Sequence, residues 1–292
     1  MTTDTTTPWS EALMRKAQQL ESQFAQRMVA LPDGTQLAVR ERPAAGNAAQ
    51  TVVMLHGISS SAASWLDVAL ALRPDWRVLA WDAPGYGAST ALPQTHPRDT
   101  DYAARLGAWL AAEVQGPVVL VGHSLGALMA VACTTQQAPL ALAGVLLLSP
   151  AGGYGSHDAA AREKVRNERN ASLGTLGIAG LAQRIDQRLL SPGADALARE
   201  WVRWSTSRLH EGGYRQAVNM LCDSDLGRHA PLSVPVHIAC GEHDVVTTPA
   251  ACRRWAEAWQ VPFSSIADAG HASPVEKPGA VAEWIEDRVF SL

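Results

Sequence analysis

Short, almost wholly apolar blocks recur along the chain at 51–55, 77–81, 118–121, 145–148 and 236–240. Blocks of this length, bounded by glycine, proline or polar residues, predict strands buried on both faces. Between them, apolar residues fall at helical spacing over 62–72, 101–114, 125–133, 250–259 and 280–290. Regular alternation of strand and helix predicts a parallel, doubly wound sheet with helices on both faces. Two further strands, 28–30 and 36–40, flank the turn signal Pro32-Asp33-Gly34 and predict an antiparallel hairpin; 263–266 is the last strand.

Two segments break the alternation. Ahead of the hairpin, Thr7 as N-cap and Pro8 at the first helical position open a helix running to about Gln26, with Trp9, Leu13, Leu20 and Phe24 on one side. Residues 1–27 therefore form a helical extension whose stripe packs on its own domain or on a second subunit. Between the sixth and seventh strands, 151–230 interpose roughly 80 residues where a crossover of about a dozen or two suffices. Helices are expected there at 159–170, 176–190, 195–204 and 213–221, with Ser191-Pro192-Gly193 as an internal turn. The expected organisation is a core of 28–150 and 231–292, with 151–230 as a helical cap over the C-terminal edge of the sheet.

The chain has 292 residues, is 47% apolar and carries a formal charge of -4. No basic patch argues for nucleic acid, so a small-molecule substrate is the expected partner, with the protein a monomer or homodimer. The first residues lack the positive start and apolar run of a secretory signal, and no stretch is long enough to span a bilayer, so a cytoplasmic, membrane-free location is expected. Cys133, Cys222, Cys240 and Cys252 have no C-x-x-C spacing and read as reduced residues rather than metal ligands.

The candidate chemistry starts at Gly122-His123-Ser124-Leu125-Gly126, a G-x-S-x-G between a buried strand and a buried helix. So sharp a turn holds the serine in a strained conformation above the sheet, and glycine on either side avoids the crossing strand and helix. A serine hydroxyl needs a base, and the base needs a third group to set its tautomer. Active groups in such sheets gather at the C-terminal ends of strands, which leaves His56, His123, His243 and His271. His123 adjoins the serine and reads as structural, His56 as ordering the Gly57 loop, and His243 comes too early beside Asp244. His271, after the last strand, is the expected base. Asp244, just past 236–240, is the expected third member; Asp82 sits among Pro84, Gly85 and Gly87 and reads as stabilising a turn. The backbone N–H groups of Leu125, at the helix start, and Ile58, after His56-Gly57, are the expected oxyanion donors.

Taken together, His56-Gly57, the run from Asp82 to Ser89, the Ser124 motif, Gly241-Glu242-His243-Asp244 and Gly270-His271 resemble the α/β-hydrolase superfamily across nearly all of 29–292. That resemblance implies a mostly parallel eight-stranded sheet, a helical cap inserted after strand six, and no cofactor. A serine nucleophile separates the chain from the dehalogenases and epoxide hydrolases, which use aspartate. The stretch from His271 through Pro278 looks like carboxylesterases, lactonases and perhydrolases. Ser149-Pro150-Ala151-Gly152-Gly153 instead resembles hydrolases of carbon-carbon bonds in ring-cleavage products, although these carry tryptophan after the histidine where this chain has Ala272. The leading expectation is a serine hydrolase of a small ester, lactone or related acyl compound. Carbon-carbon hydrolysis and a ligand-binding protein that retains the triad stand as alternatives. Arg162, Arg166, Arg184, Arg188 and Arg203 are candidates to meet a substrate carboxylate.

Overall fold

The computed structural model describes residues 9–135 and 141–290. Eight strands form one sheet in the order β1-β2-β4-β3-β5-β6-β7-β8: β1 Gln26–Ala30, β2 Gln36–Arg42, β3 Gln50–Leu55, β4 Trp76–Trp81, β5 Val118–His123, β6 Leu142–Leu148, β7 Val236–Gly241 and β8 Phe263–Ile266. The hairpin β1-β2 is antiparallel, as its turn predicts, and β2 also pairs antiparallel with β4. Every other pairing is parallel.

Apolar blocks become strands here because both faces of the sheet are covered. Val53, Leu55, Leu120 and Leu147 enter one core, and Val52, Met54, Val119, Val121 and Leu146 the other, with the two-residue period of extended chain. The first core is closed by α3 Asp99–Glu113, α4 Leu125–Thr134 and α8 Pro249–Trp259. The second is closed by α1 Glu11–Gln23, α2 Leu66–Ala71 and α10 Pro278–Val289, while the one-turn α9, Ser273–Glu276, follows the β8 loop.

The expected cap at Thr7 and Pro8 lies outside the described residues. Within them, α1 is capped by Ser10, whose hydroxyl accepts from Leu13 N–H, and it ends at Gln23, short of the expected Gln26, because Gln26 already pairs with Arg40 in β1-β2. Leu13, Leu20 and Phe24 are buried as the stripe requires, while Trp9 stays exposed. The expected helix over 62–72 is split into a 3-10 turn, Ala62–Trp65, and α2.

Between β6 and β7 lie α5 Ala159–Leu189, α6 Ala196–Ser207 and α7 Glu211–Asp223. The two helices expected at 159–170 and 176–190 lie within α5 on either side of a kink at Gly177, whose non-helical φ of 60° suits glycine, so the first runs on past its expected end at Asn170. Buried residues of α6 enter one core and those of α7 the other, so the insertion straddles the sheet edge. It sits on the loops that follow β3 and β4. Ser205 Oγ lies 3.0 Å from Ser61 Oγ, and Gly213 packs so closely on Gly85 that a Cβ there would collide with the Gly85 carbonyl. From outside, α1 braces α6: Ser10 hydrogen-bonds Glu200, and Lys16 pairs with Asp67 and stands 4.9 Å from the Trp201 ring centroid.

Candidate active site

A single residue, Ser124, separates β5 from α4, and it adopts φ 52°, ψ -113°. A non-glycine residue held at positive φ costs about 1–3 kcal/mol and persists only when its surroundings enforce it. Three backbone hydrogen bonds do so: Ser124 N–H donates to the Leu148 carbonyl at 3.0 Å, and the Ser124 carbonyl accepts from Ala127 N–H and Ala151 N–H, each at 3.1 Å. The flanking glycines are required by space. A Cβ on Gly122 would lie 2.7 Å from the Gly126 carbonyl oxygen, and one on Gly126 would collide with the Leu55 carbonyl.

His271 follows β8, and its Nδ1 lies 2.8 Å from Asp244 Oδ2 with both side chains buried. Asp244 sits just past β7, where its Oδ1 accepts from Val246 N–H at 2.7 Å and Thr247 N–H at 3.0 Å. Burial pushes the carboxyl up, but the His271 bond, the charge interaction with that ring and the other donors outweigh it and bring the group down to about 2. The ionised Asp244 therefore accepts the Nδ1 proton, which leaves Nε2 with its lone pair. Thr247 Oγ1 stands 3.0 Å from Asp244 Oδ2, 3.2 Å from His271 Nδ1 and 2.9 Å from the Ser149 carbonyl. Sequence reasoning missed this threonine, because a hydroxyl three residues after an aspartate reads as an ordinary turn.

The loop after β3 lies against the serine: a Cβ on Gly57 would stand 3.1 Å from Ser124 Cβ. His56 Nδ1–H donates to the Gly57 carbonyl at 2.8 Å while its Nε2 accepts from Ala83 N–H at 3.0 Å, so the ring bridges the loops after β3 and β4. Asp82 Oδ1 accepts from Ala62 N–H at 2.8 Å, and its carbonyl accepts from Ser89 Oγ at 2.6 Å, the turn-stabilising role expected there. Among the described residues, Ile58 N–H donates to no backbone carbonyl, and Leu125, the first residue of α4, has no carbonyl four residues back in its own helix.

The His123 side chain packs against His271. Its Nε2–H donates to the His271 carbonyl at 2.8 Å, with ring centroids 4.9 Å apart. Burial, then the neighbouring His271, push its imidazolium down to about 3, and burial also lowers His56. As pH falls from 6.5 toward 3, the unfolded chain binds a proton at His123 that the folded chain refuses. Stability is therefore fully present above 6.5 and drops below it by about 1.4 kcal/mol per pH unit for this group. His123→Asn is expected to flatten the profile of urea midpoint against pH by about that slope between pH 6.5 and 3; an unchanged profile would mean that His123 titrates freely in the fold.

His243 is exposed. The insertion arginines are mostly engaged within the insertion itself. Arg166 donates to Asn219 and Asp223 at 2.6 and 2.8 Å, Arg203 forks onto the buried Asp186 at 2.7 and 2.8 Å, and Arg162 stands 3.7 Å from Asp223, while Arg184 and Arg188 are exposed. Ion pairs between helices, which spacing along one helix does not reveal, claim those side chains. Glu276 was also missed as an individual residue: it accepts from Gly270 N–H at 2.8 Å and from the Ser191 hydroxyl, joining the approach to His271 to the end of α5. Cys133, Cys222, Cys240 and Cys252 are buried free thiols. No helix among the described residues is long and apolar enough to cross a membrane.

Comparison with solved structures finds the same fold in other proteins. The chain is similar to a thermophilic esterase from Thermogutta terrifontis, at 22% identity and a TM-score of 0.77 over 91% of this chain and 98% of that one. It is similar to the enol-lactonase from Burkholderia xenovorans LB400, at 24% identity and 0.78 over 91% and 100%. A bromoperoxidase from Bacillus anthracis matches at 15% identity and 0.76 over 91% and 100%. A comparison with curated proteins returns no significant match. The model of the alpha/beta hydrolase family matches residues 52–284, and with the sheet order and strand-to-helix turn described above, this chain belongs to that family.

Proposed function

We propose that this alpha/beta hydrolase is a serine hydrolase of a small carboxylic ester or lactone, working through an acyl-enzyme. The observation that carries the reading is the buried Asp244–His271 hydrogen bond, which leaves the His271 Nε2 lone pair to act as a base, in a fold that also holds Ser124 in a strained turn at the end of β5. In this reading His271 Nε2 takes the Ser124 proton as Oγ attacks the acyl carbon. The tetrahedral oxyanion is held by the N–H groups of Leu125 and Ile58, with the α4 dipole adding positive potential. Collapse expels the alcohol, protonated by His271; water, deprotonated by the same ring, then attacks the acyl-enzyme and releases the acid. Asp244 holds the tautomer and stabilises the imidazolium throughout. The insertion α5 to α7 serves as the cap, which roofs the site and selects the substrate. The choice of ester and lactone is supported by the esterase and enol-lactonase among the similar structures.

The test is turnover of a panel of short p-nitrophenyl esters and lactones, with a ring-cleavage dienone as the contrasting substrate and a serine-directed phosphonate as the label. Ester or lactone turnover blocked by the phosphonate is expected. Dienone turnover far outrunning that of esters would replace the substrate class with carbon-carbon cleavage. Labelling without turnover of any of them would favour a ligand-binding role.

A further inference from the structure

The loop that carries the Ile58 donor is gripped at three successive carbonyls. Gly57 O accepts from His56 Nδ1–H at 2.8 Å and from Ser60 N–H at 3.2 Å; since Gly57 C=O and Ile58 N–H are opposed across one planar trans peptide, fixing the oxygen aims the N–H. Ile58 O accepts from Tyr86 Oη at 2.9 Å, a grip from the loop after β4. Ser59 O accepts from Thr206 Oγ1 at 2.8 Å, and this grip comes from the insertion. Thr206 lies in the last turn of α6, is 1% exposed, and is preceded by Ser205, whose hydroxyl meets Ser61 two residues further along the same loop. The side of the loop not built by the core is thus held by α6, and α6 is itself braced by α1 through Ser10 and Lys16.

We infer that Thr206 is a positioning residue for the oxyanion hole, so that the insertion completes the hydrogen-bond frame that aims Ile58 N–H at the developing oxyanion. The inference rests on the serine-hydrolase reading. A frame pinned at Gly57 and Ile58 but free at Ser59 lets the loop tilt about its core-side bonds, and a donor displaced from the oxyanion loses most where charge is greatest, in the transition state. Substrate binding, which needs no oxyanion, is spared.

The experiment compares wild type, Thr206→Val, Thr206→Ser and Ser124→Ala on an ester and its thiono analogue, with melting temperatures alongside. Valine keeps the shape of threonine and lacks the donor; serine restores the donor. Losing an oxyanion donor outright costs about a hundredfold or more in kcat, and misaiming one is expected to cost about tenfold, with KM within about twofold of wild type. The thiono analogue develops charge on sulfur, which accepts amide hydrogen bonds weakly. Thr206→Val is therefore expected to lose more on the oxo than on the thiono ester, and Thr206→Ser to recover both kcat and the oxo preference. Wild-type kcat in Thr206→Val overturns the inference, as does a loss of equal size on both substrates that serine does not restore. Should the valine variant not fold, Thr206→Ala carries the same comparison. Turnover that survives Ser124→Ala sinks the serine-hydrolase reading itself; turnover that requires Ser124 but ignores Thr206 sinks only this inference.

Discussion

Ser124→Ala is expected to lower ester turnover by about a millionfold, leaving only the residual acceleration that binding and oxyanion donors provide. The fold is expected to remain, because the Ser124 side chain makes no capping hydrogen bond to α4 and the strained backbone is held by the main chain of Leu148, Ala127 and Ala151. Alanine keeps the Cβ and all of those bonds, so the strain neither grows nor is relieved. The check is kcat on the best ester of the panel together with the thermal midpoint, which is expected to move by no more than a few degrees. Retained turnover in a folded variant would remove Ser124 as the nucleophile and with it the acyl-enzyme mechanism.

Asp244→Asn is expected to cost about ten-thousandfold in kcat, the size of effect that a wrong histidine tautomer produces in serine proteases of the triad type. The geometry dictates which way the new amide turns. Asp244 Oδ1 accepts two backbone N–H groups, from Val246 and Thr247, and an asparagine must keep its oxygen there to satisfy them. Its NH2 then occupies the Oδ2 position, 2.8 Å from His271 Nδ1 in the native protein. An amide donor at that point requires a lone pair on Nδ1, so the ring proton moves to Nε2 and the base can no longer receive the Ser124 proton. A kcat near wild type in Asp244→Asn would mean that the tautomer is set elsewhere, with Thr247 the residue to test, since its hydroxyl also reaches Nδ1 at 3.2 Å. NMR of the ring nitrogens in the two proteins reads the tautomer directly.

Much of the fold was legible because the inner strands bury both faces, so that apolar blocks such as 118–121 and 236–240 stand out without any alignment. The Ser124 turn was legible for a related reason: backbone crowding leaves no room for a Cβ at Gly122 or Gly126, and that constraint is written as residue type at fixed spacing. Helix ends were less so. The stop at Gln23 is set by the pairing of Gln26 with Arg40, which is not a local property.

By itself the sequence determined the alternation of strand and helix, the turn that strains Ser124, and the small set of histidines and aspartates able to complete its chemistry, since all of these depend on near neighbours in the chain. Only the tertiary structure decided that His271 meets Asp244 across 27 positions, that Thr247 and Glu276 support them, that Arg166 and Arg203 are spent on ion pairs within the insertion, and that Thr206 reaches 147 positions back to grip the Ser59 carbonyl. The reason is one of range. A hydrogen bond forms wherever folding brings donor and acceptor within about 3 Å, and when the partners lie far apart along the chain, neither residue's local sequence carries any mark of the other.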